Sequence, residues 1–218
     1  MTVKATPETK QIREWKGDFG REYTDRNTLD PEALDLLWHN NYGVTRTALN
    51  RRFLERLPKS ARILEVGCNV GNQLRLLHDM GYTGLHGIEI QSYAVQLAQK
   101  RVPYATIVEG SALEIPFPDR HFDLVFTSGV LIHIAPPDVG QTLGEIHRAA
   151  NRWIWGAEYY APHATEINYR GHAELLWKAD FCKMYLDQFP DLELLREERL
   201  PYLNNDNTDT MFLLQRMS

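Results

Sequence analysis

Cysteine is scarce: Cys68 and Cys182 are the only two among 218 residues. Neither stands in a C-x-x-C or other metal-like spacing, so a disulfide framework or a zinc site is not expected, and two free thiols fit a reducing cytosol. Runs of one charge are missing too. The formal net charge is -5 with no basic cluster, so the electrostatic footprint of a nucleic-acid binder is absent. No apolar stretch approaches the roughly 20 residues of a membrane span. The polar segment Met1 to Lys10 lacks the apolar centre of a signal peptide and reads as a loose tail. Repeats and low-complexity tracts are also absent. What remains is the expectation of a soluble, cytoplasmic chain whose partner is a small molecule, with neither nucleic acid nor membrane involved. The oligomeric state is not legible.

What is present suits one globular core. Apolar residues make up 43% and charged residues 24%, ordinary values for a folded domain of this length. Residues 11–27 mix aromatics with charges (Trp15, Phe19, Tyr23), as in a short helix and a turn. Asp30-Pro31-Glu32 reads as an N-cap with proline at the first helical position. The helical pattern that follows runs to Leu57 with a break over 40–43, and Pro58 stops it. Strands are expected at 62–67, 85–90, 106–108, 122–127 and 153–159. Helices are expected at 73–80, at 92–101 with Ser92 as cap, at 136–150 and at 173–189. Two last strands, 192–199 and 210–215, follow without a helix between them. Strands alternating with helices predict a parallel sheet covered on both faces, and the last two strands an antiparallel hairpin. This is an α/β chain: residues 1–57 form an N-terminal helical lid and cap, and 58–218 a Rossmann-like domain with a mostly parallel seven-stranded sheet.

The sharpest motif is Glu65-Val66-Gly67-Cys68-Asn69-Val70-Gly71, directly after the first strand. Gly67 and Gly71 permit a tight turn, and the helix that starts just beyond, at about Gln73, directs its free N–H groups into the crevice at the strand's carboxyl end. A dinucleotide fingerprint reads G-x-G-x-x-G. Here the glycines are spaced G-x-x-x-G with an acid two residues before the first, the pattern of S-adenosylmethionine sites, with Asn69 replacing a middle glycine. That cofactor carries an ammonium and a sulfonium and no pyrophosphate, so an anion at Glu65 suits it. Glu89 ends the second strand, where a carboxylate can take both ribose hydroxyls, followed by Ile90. Ser111, Ala112 and Leu113 follow the third strand and suit adenine. Ser128 and Gly129 follow the fourth and would lie beneath the methyl group. Trp15 and Tyr23 suit a lid whose rings face the sulfonium. No metal is implied.

At this level the layout resembles class I methyltransferases, with S-adenosylhomocysteine as product. The chain further resembles the pseudaminic acid biosynthesis-associated methylases, through Trp15-Lys16-Gly17-Asp18-Phe19-Gly20, Gly129-Val130-Leu131-Ile132-His133-Ile134, Glu158-Tyr159-Tyr160, Tyr169-Arg170-Gly171-His172 and Leu176-Trp177-Lys178-Ala179-Asp180-Phe181. The resemblance implies a nonulosonic acid sugar, or a molecule made beside it, as the acceptor of an O- or N-methylation. Glu158, Tyr159 and Tyr160 end the fifth strand, and Tyr169, Arg170 and His172 follow in a loop. These six are expected to bring acid, phenol, guanidinium and imidazole to one mouth. His172, Tyr169 and Glu158 would supply and orient a base; Arg170, with Tyr159 and Tyr160, would hold an anionic substrate. His133 sits where the broad superfamily often has a histidine and reads as structural. Two other functions stay open: cyclisation or lyase chemistry on the same cofactor, and a non-catalytic binding module.

Overall fold

The computed structural model describes residues 9–217, so all but the last two residues of the expected tail lie outside the described residues. Helices α1 (Lys10–Lys16) and α2 (Asp18–Arg26) open the chain. The Thr9 side chain caps α1 by accepting from the Ile12 N–H at 3.2 Å. Two helices stand where one helix and a turn are expected. Gly20 permits this, because an ideal Cβ there would lie 1.9 Å from the Trp15 carbonyl oxygen. Helix α3 (Pro31–Tyr42) starts as its sequence requires: the Asp30 carboxylate accepts from Ala33 N–H at 2.8 Å with Pro31 in the first turn. It ends on Gly43 in the left-handed region, φ 73°, and Thr45 caps α4 (Arg46–Leu54).

The sheet contains β1 (Arg62–Val66), β2 (Gly84–Glu89), β3 (Thr106–Glu109), β4 (Phe122–Ser128), β5 (Ala150–Tyr159), β8 (Leu192–Pro201) and β9 (Thr208–Arg216), in the order β3-β2-β1-β4-β5-β9-β8. The first five are parallel, and β9 enters antiparallel between β5 and β8. Helices α5 (Asn72–Asp79), α6 (Ser92–Arg101), α7 (Pro136–Ala149) and α8 (Phe181–Gln188) complete the layers. Ile63, Leu64 and Val66 of β1 are all fully buried, as a strand covered on both faces must be. One face is covered by α4, α5 and α6 through Leu49, Phe53, Leu74, Leu77 and Val95. The other is covered by α7 and α8 through Leu143, Ile146, Phe181 and Tyr185. Leu49, Phe53, Leu54 and Leu57 are buried with Ile63, so the cover is continuous across the 57/58 boundary read from the sequence.

Two local expectations are corrected. The helix expected over 173–189 is confined to Phe181–Gln188, begun by the Asp180 side chain accepting from Lys183 N–H at 3.0 Å. Leu175, Leu176, Trp177 and Ala179 are buried in non-helical chain instead. There β7 (Trp177–Lys178) pairs with β6 (Thr165–Glu166); their apolar spacing imitates a helix face. The cap of α6 is Gln91, accepting from Tyr93 N–H at 3.2 Å, whereas the Ser92 hydroxyl donates to Glu109 at 2.5 Å.

Among the described residues, no helix is long and apolar enough to cross a membrane, and no group of three His, Cys, Asp or Glu is arranged to hold a metal ion.

Candidate functional site

The turn between β1 and α5 is built from left-handed residues: Gly67 (φ 71°), Asn69 (φ 45°) and Gly71 (φ 79°). Asparagine enters this region more readily than most residues with a side chain, which suits Asn69 to a position patterned for glycine. The N–H groups of Gly67 and Cys68 both donate to the Ile88 carbonyl at 2.9 Å, fastening the turn to β2. The glycines serve packing. A Cβ at Gly67 would stand 2.7 Å from Val130 Cγ2, and one at Gly71 2.8 Å from Val102 Cγ2. Gly67 lines the cavity described below, and Gly71, expected as a cofactor contact, does not.

A cavity of about 250 Å³ lies over the carboxyl ends of β1, β2 and β4. Glu65, Gly67, Asn69 and Asn72 line it from the first turn, and Glu89 and Ile90 from the end of β2. Ser111, Ala112 and Leu113 approach after β3, Ser128 and Gly129 after β4, and Trp15 and Tyr23 from the N-terminal helices. Every expected cofactor-binding residue except Gly71 is brought to one space.

Its polar lining includes two buried carboxyls, Glu65 and Glu89. Glu89 accepts from three backbone N–H groups: Asn69 at 2.9 Å on Oε2, and Ile90 at 2.7 Å and Gln91 at 2.9 Å on Oε1. A carboxylate offers roughly four lone-pair sites, so Oε2 keeps the room for a ligand hydroxyl. Burial raises the Glu89 carboxyl, and these bonds pull it back. Burial pushes Glu65 well above the usual range, against the pull of the buried Arg46 guanidinium. Glu65 Oε2, Asn69 Oδ1, Asn72 Oδ1 and Trp15 Nε1 are buried without a partner, a costly condition for polar atoms.

Gln91 has no motif to announce it, yet it fastens the N-terminal helices to the site. Its side-chain amide donates to the carbonyls of Trp15 (3.2 Å), Lys16 (2.7 Å) and Gly17 (3.0 Å). Asn72 adds a bond to the Asn27 carbonyl at 2.7 Å. The Trp15 ring then rests 4.6 Å from that of His133.

The six expected acceptor-site residues do not converge on the cavity. Glu158 is 1% exposed and accepts from the N–H groups of Val130 (3.2 Å) and Ile132 (3.5 Å). It braces the 3-10 turn Leu131–His133, and burial raises its carboxyl to about 7. Tyr159 is half-buried, with Lys178 Nζ 5.5 Å from its ring. Tyr160 lies under Arg199, whose guanidinium is 3.4 Å from the ring centre. Arg170 is exposed at the tip of a tight turn closed by two bonds between Tyr169 and His172, of 2.9 and 3.0 Å. Tyr169 and the exposed His172 lie against Phe19, at 6.0 and 5.2 Å between ring centres, and Tyr169 also lies 5.4 Å from the His133 ring. The expected single mouth of acid, phenol, guanidinium and imidazole is therefore corrected. Strand alternation turns Glu158 inward, and the tight turn carries Arg170 out to solvent.

Residues 63–152 match a family model described as a methyltransferase domain. A sterol methyltransferase-like protein of Botryococcus braunii is 31% identical over 117 residues, covering 50% of this chain and 29% of its own length. A demethylmenaquinone methyltransferase of Bacillus licheniformis is 35% identical over 100 residues, 44% of this chain and 42% of its own. The chain thus spans less than half the length of these two curated relatives. Among solved structures, the 1,6-didemethyltoxoflavin-N1-methyltransferase of Burkholderia thailandensis, with 1,6-didemethyltoxoflavin and S-adenosylhomocysteine bound, is similar at a TM-score of 0.71 and 16% identity, over 100% of this chain and 93% of its own. The strand order and this likeness give the chain a class I methyltransferase fold, with the methyltransferase-domain match running from β1 into β5.

Proposed function

We propose that this protein is an S-adenosylmethionine-dependent methyltransferase acting on a small polar acceptor. The observation that carries the reading is the set of buried, unpartnered acceptors at the cavity: Glu65 Oε2, Asn69 Oδ1 and Asn72 Oδ1. An ammonium has three donors and no acceptor, and the amino-acid end of this cofactor supplies one. Trp15 Nε1, the orphaned donor among the lining residues, suits the neighbouring carboxylate. Glu89 Oε2 suits a ribose hydroxyl. The bound cofactor supplies an electrophilic methyl on sulfur. The chain's own part is to align the acceptor with it and to exclude water. Trp15 and Tyr23, held over the cavity by Gln91 and Asn72, do the excluding.

The acceptor class is carried by the sequence resemblance, which supports a nonulosonic acid sugar methylated on oxygen or nitrogen. Arg170, exposed at its turn, adds nothing to that choice.

Incubation with S-adenosylmethionine and candidate sugar acids, followed by mass spectrometry, tests the reading. S-adenosylhomocysteine together with a methylated acceptor is the expected result. Methylthioadenosine formed without an acceptor would replace methyl transfer with cyclisation or lyase chemistry, and binding without turnover would leave a binding module.

A further inference from the structure

His133 ends the 3-10 turn after β4, is 8% exposed, and lines the cavity beside Trp15 and Tyr23. Its Nδ1 lies 2.7 Å from the Leu175 carbonyl oxygen. A carbonyl oxygen only accepts, so Nδ1 carries the proton and Nε2 is left with a lone pair. No described residue bonds Nε2. The ring is fixed from several sides. Glu158 holds the turn by its backbone N–H groups. Trp15 lies 4.6 Å and Tyr169 5.4 Å from the imidazole, centre to centre. Burial pushes the imidazole down to about 4, and a sulfonium nearby would oppose its protonation further. The ring therefore stays neutral and its lone pair stays available.

We propose that Nε2 of His133 takes a hydrogen bond from the N–H or O–H of the methyl acceptor and aims the acceptor's own lone pair at the methyl carbon. This rests on the reading of the cavity as an S-adenosylmethionine site, and it narrows the acceptor to nitrogen or oxygen. As the acceptor atom bonds to the methyl carbon, the carbon–sulfur bond breaks and its electron pair stays on sulfur. The proton stays on the acceptor atom, hydrogen-bonded to Nε2, through the displacement, and the methylated product gives it up to water on release, so the imidazole remains neutral throughout. The tautomer set by Leu175 decides the geometry: a proton on Nε2 would present a donor where an acceptor is needed.

Sinefungin tests this without knowledge of the acceptor, because it carries an amine on carbon in place of the methyl-bearing sulfur. Its N–H groups would reach Nε2, whereas S-adenosylhomocysteine has nothing to offer there. In calorimetry, His133→Phe, which keeps a ring against Trp15, is expected to weaken sinefungin about tenfold or more and S-adenosylhomocysteine by less than about twofold. His133→Gln, whose amide oxygen can accept, is expected to recover most of the loss. Equal weakening of both ligands would make His133 a packing residue and overturn the proposal. Failure of the wild-type protein to bind either ligand would instead overturn the cofactor reading beneath it. Should the variants misfold, nitrogen-15 NMR of the wild-type imidazole decides: protonated Nδ1 with an Nε2 resonance that moves on adding sinefungin supports the proposal, and protonated Nε2 overturns it.

Discussion

The backbone N–H of Asn69 donates to Oε2 of Glu89 at 2.9 Å, so the turn after β1 rests on the carboxylate that ends β2. Glu89→Ala is accordingly expected to do two kinds of damage. It strands the N–H groups of Asn69, Ile90 and Gln91, at about 1–3 kcal/mol each before water compensates, and it removes the oxygen offered to a ribose hydroxyl. Calorimetry with S-adenosylhomocysteine should show a loss of about a hundredfold or more, with a lowered unfolding midpoint. Glu89→Gln, which keeps one accepting oxygen, should fall between. Undiminished affinity in Glu89→Ala would mean that the ligand does not rest on this strand end.

Gly20→Ala is expected to unseat the N-terminal helices while sparing the sheet. The new Cβ would meet the Trp15 backbone at 1.9 Å, a clash that only movement of α1 relieves, and α1 buries none of its own residues. Faster hydrogen exchange across residues 10–26, about tenfold weaker cofactor binding and an almost unchanged unfolding midpoint are the predicted signature. A variant that binds normally with α1 displaced would show that Trp15 does not belong to the site.

Glu158 predicts a pH dependence of stability. Its folded carboxyl lies at about 7, raised chiefly by burial, against about 4.3 in an unfolded chain. The folded state binds this proton more tightly. The contribution is therefore fully present below about pH 4.3 and is lost as pH rises through about 7, amounting to roughly 4 kcal/mol at most. Glu158→Gln cannot titrate. Between pH 5 and 8 the unfolding free energy of the wild type should fall relative to this variant, and parallel profiles would remove Glu158 as the source.

Arg170 and Gly171 have φ of 54° and 85°, two successive left-handed residues as in a type I′ turn. Asparagine tolerates that conformation better than arginine. Arg170→Asn should therefore gain a few tenths of a kcal/mol in chemical denaturation and leave S-adenosylhomocysteine affinity untouched. A marked fall in affinity would return the guanidinium to the cavity.

Much of the architecture was legible because its signals are local. Asp30-Pro31, Gly43 and the glycines around Asn69 each state their backbone requirement within a few residues, and all but one of the expected cofactor contacts are brought together. The acceptor residues were less legible, because a side chain's direction depends on partners distant in sequence. Glu158 and Tyr159 are neighbours, yet alternation along β5 sends the first inward to the turn at His133. The segment from Leu175 to Ala179 carries helical spacing but is not helical, since the pairing of Trp177 and Lys178 with β6 cannot be read from its own residues. The role of Gln91 is not legible for a related reason: its three acceptors are backbone carbonyls more than seventy positions away.

Those three bonds bear on time as well as on place. Gln91 stands two residues after Glu89, so the cover formed by α1 and α2 is tied to the same strand end that is proposed to take the ribose. Were a molecule resting on Glu89 to leave past these helices, the amide of Gln91 would first have to release the carbonyls of Trp15, Lys16 and Gly17. Residence time, more than equilibrium affinity, is then the quantity that Gln91 governs, and a slow exit of spent cofactor would set the pace of repeated turnover.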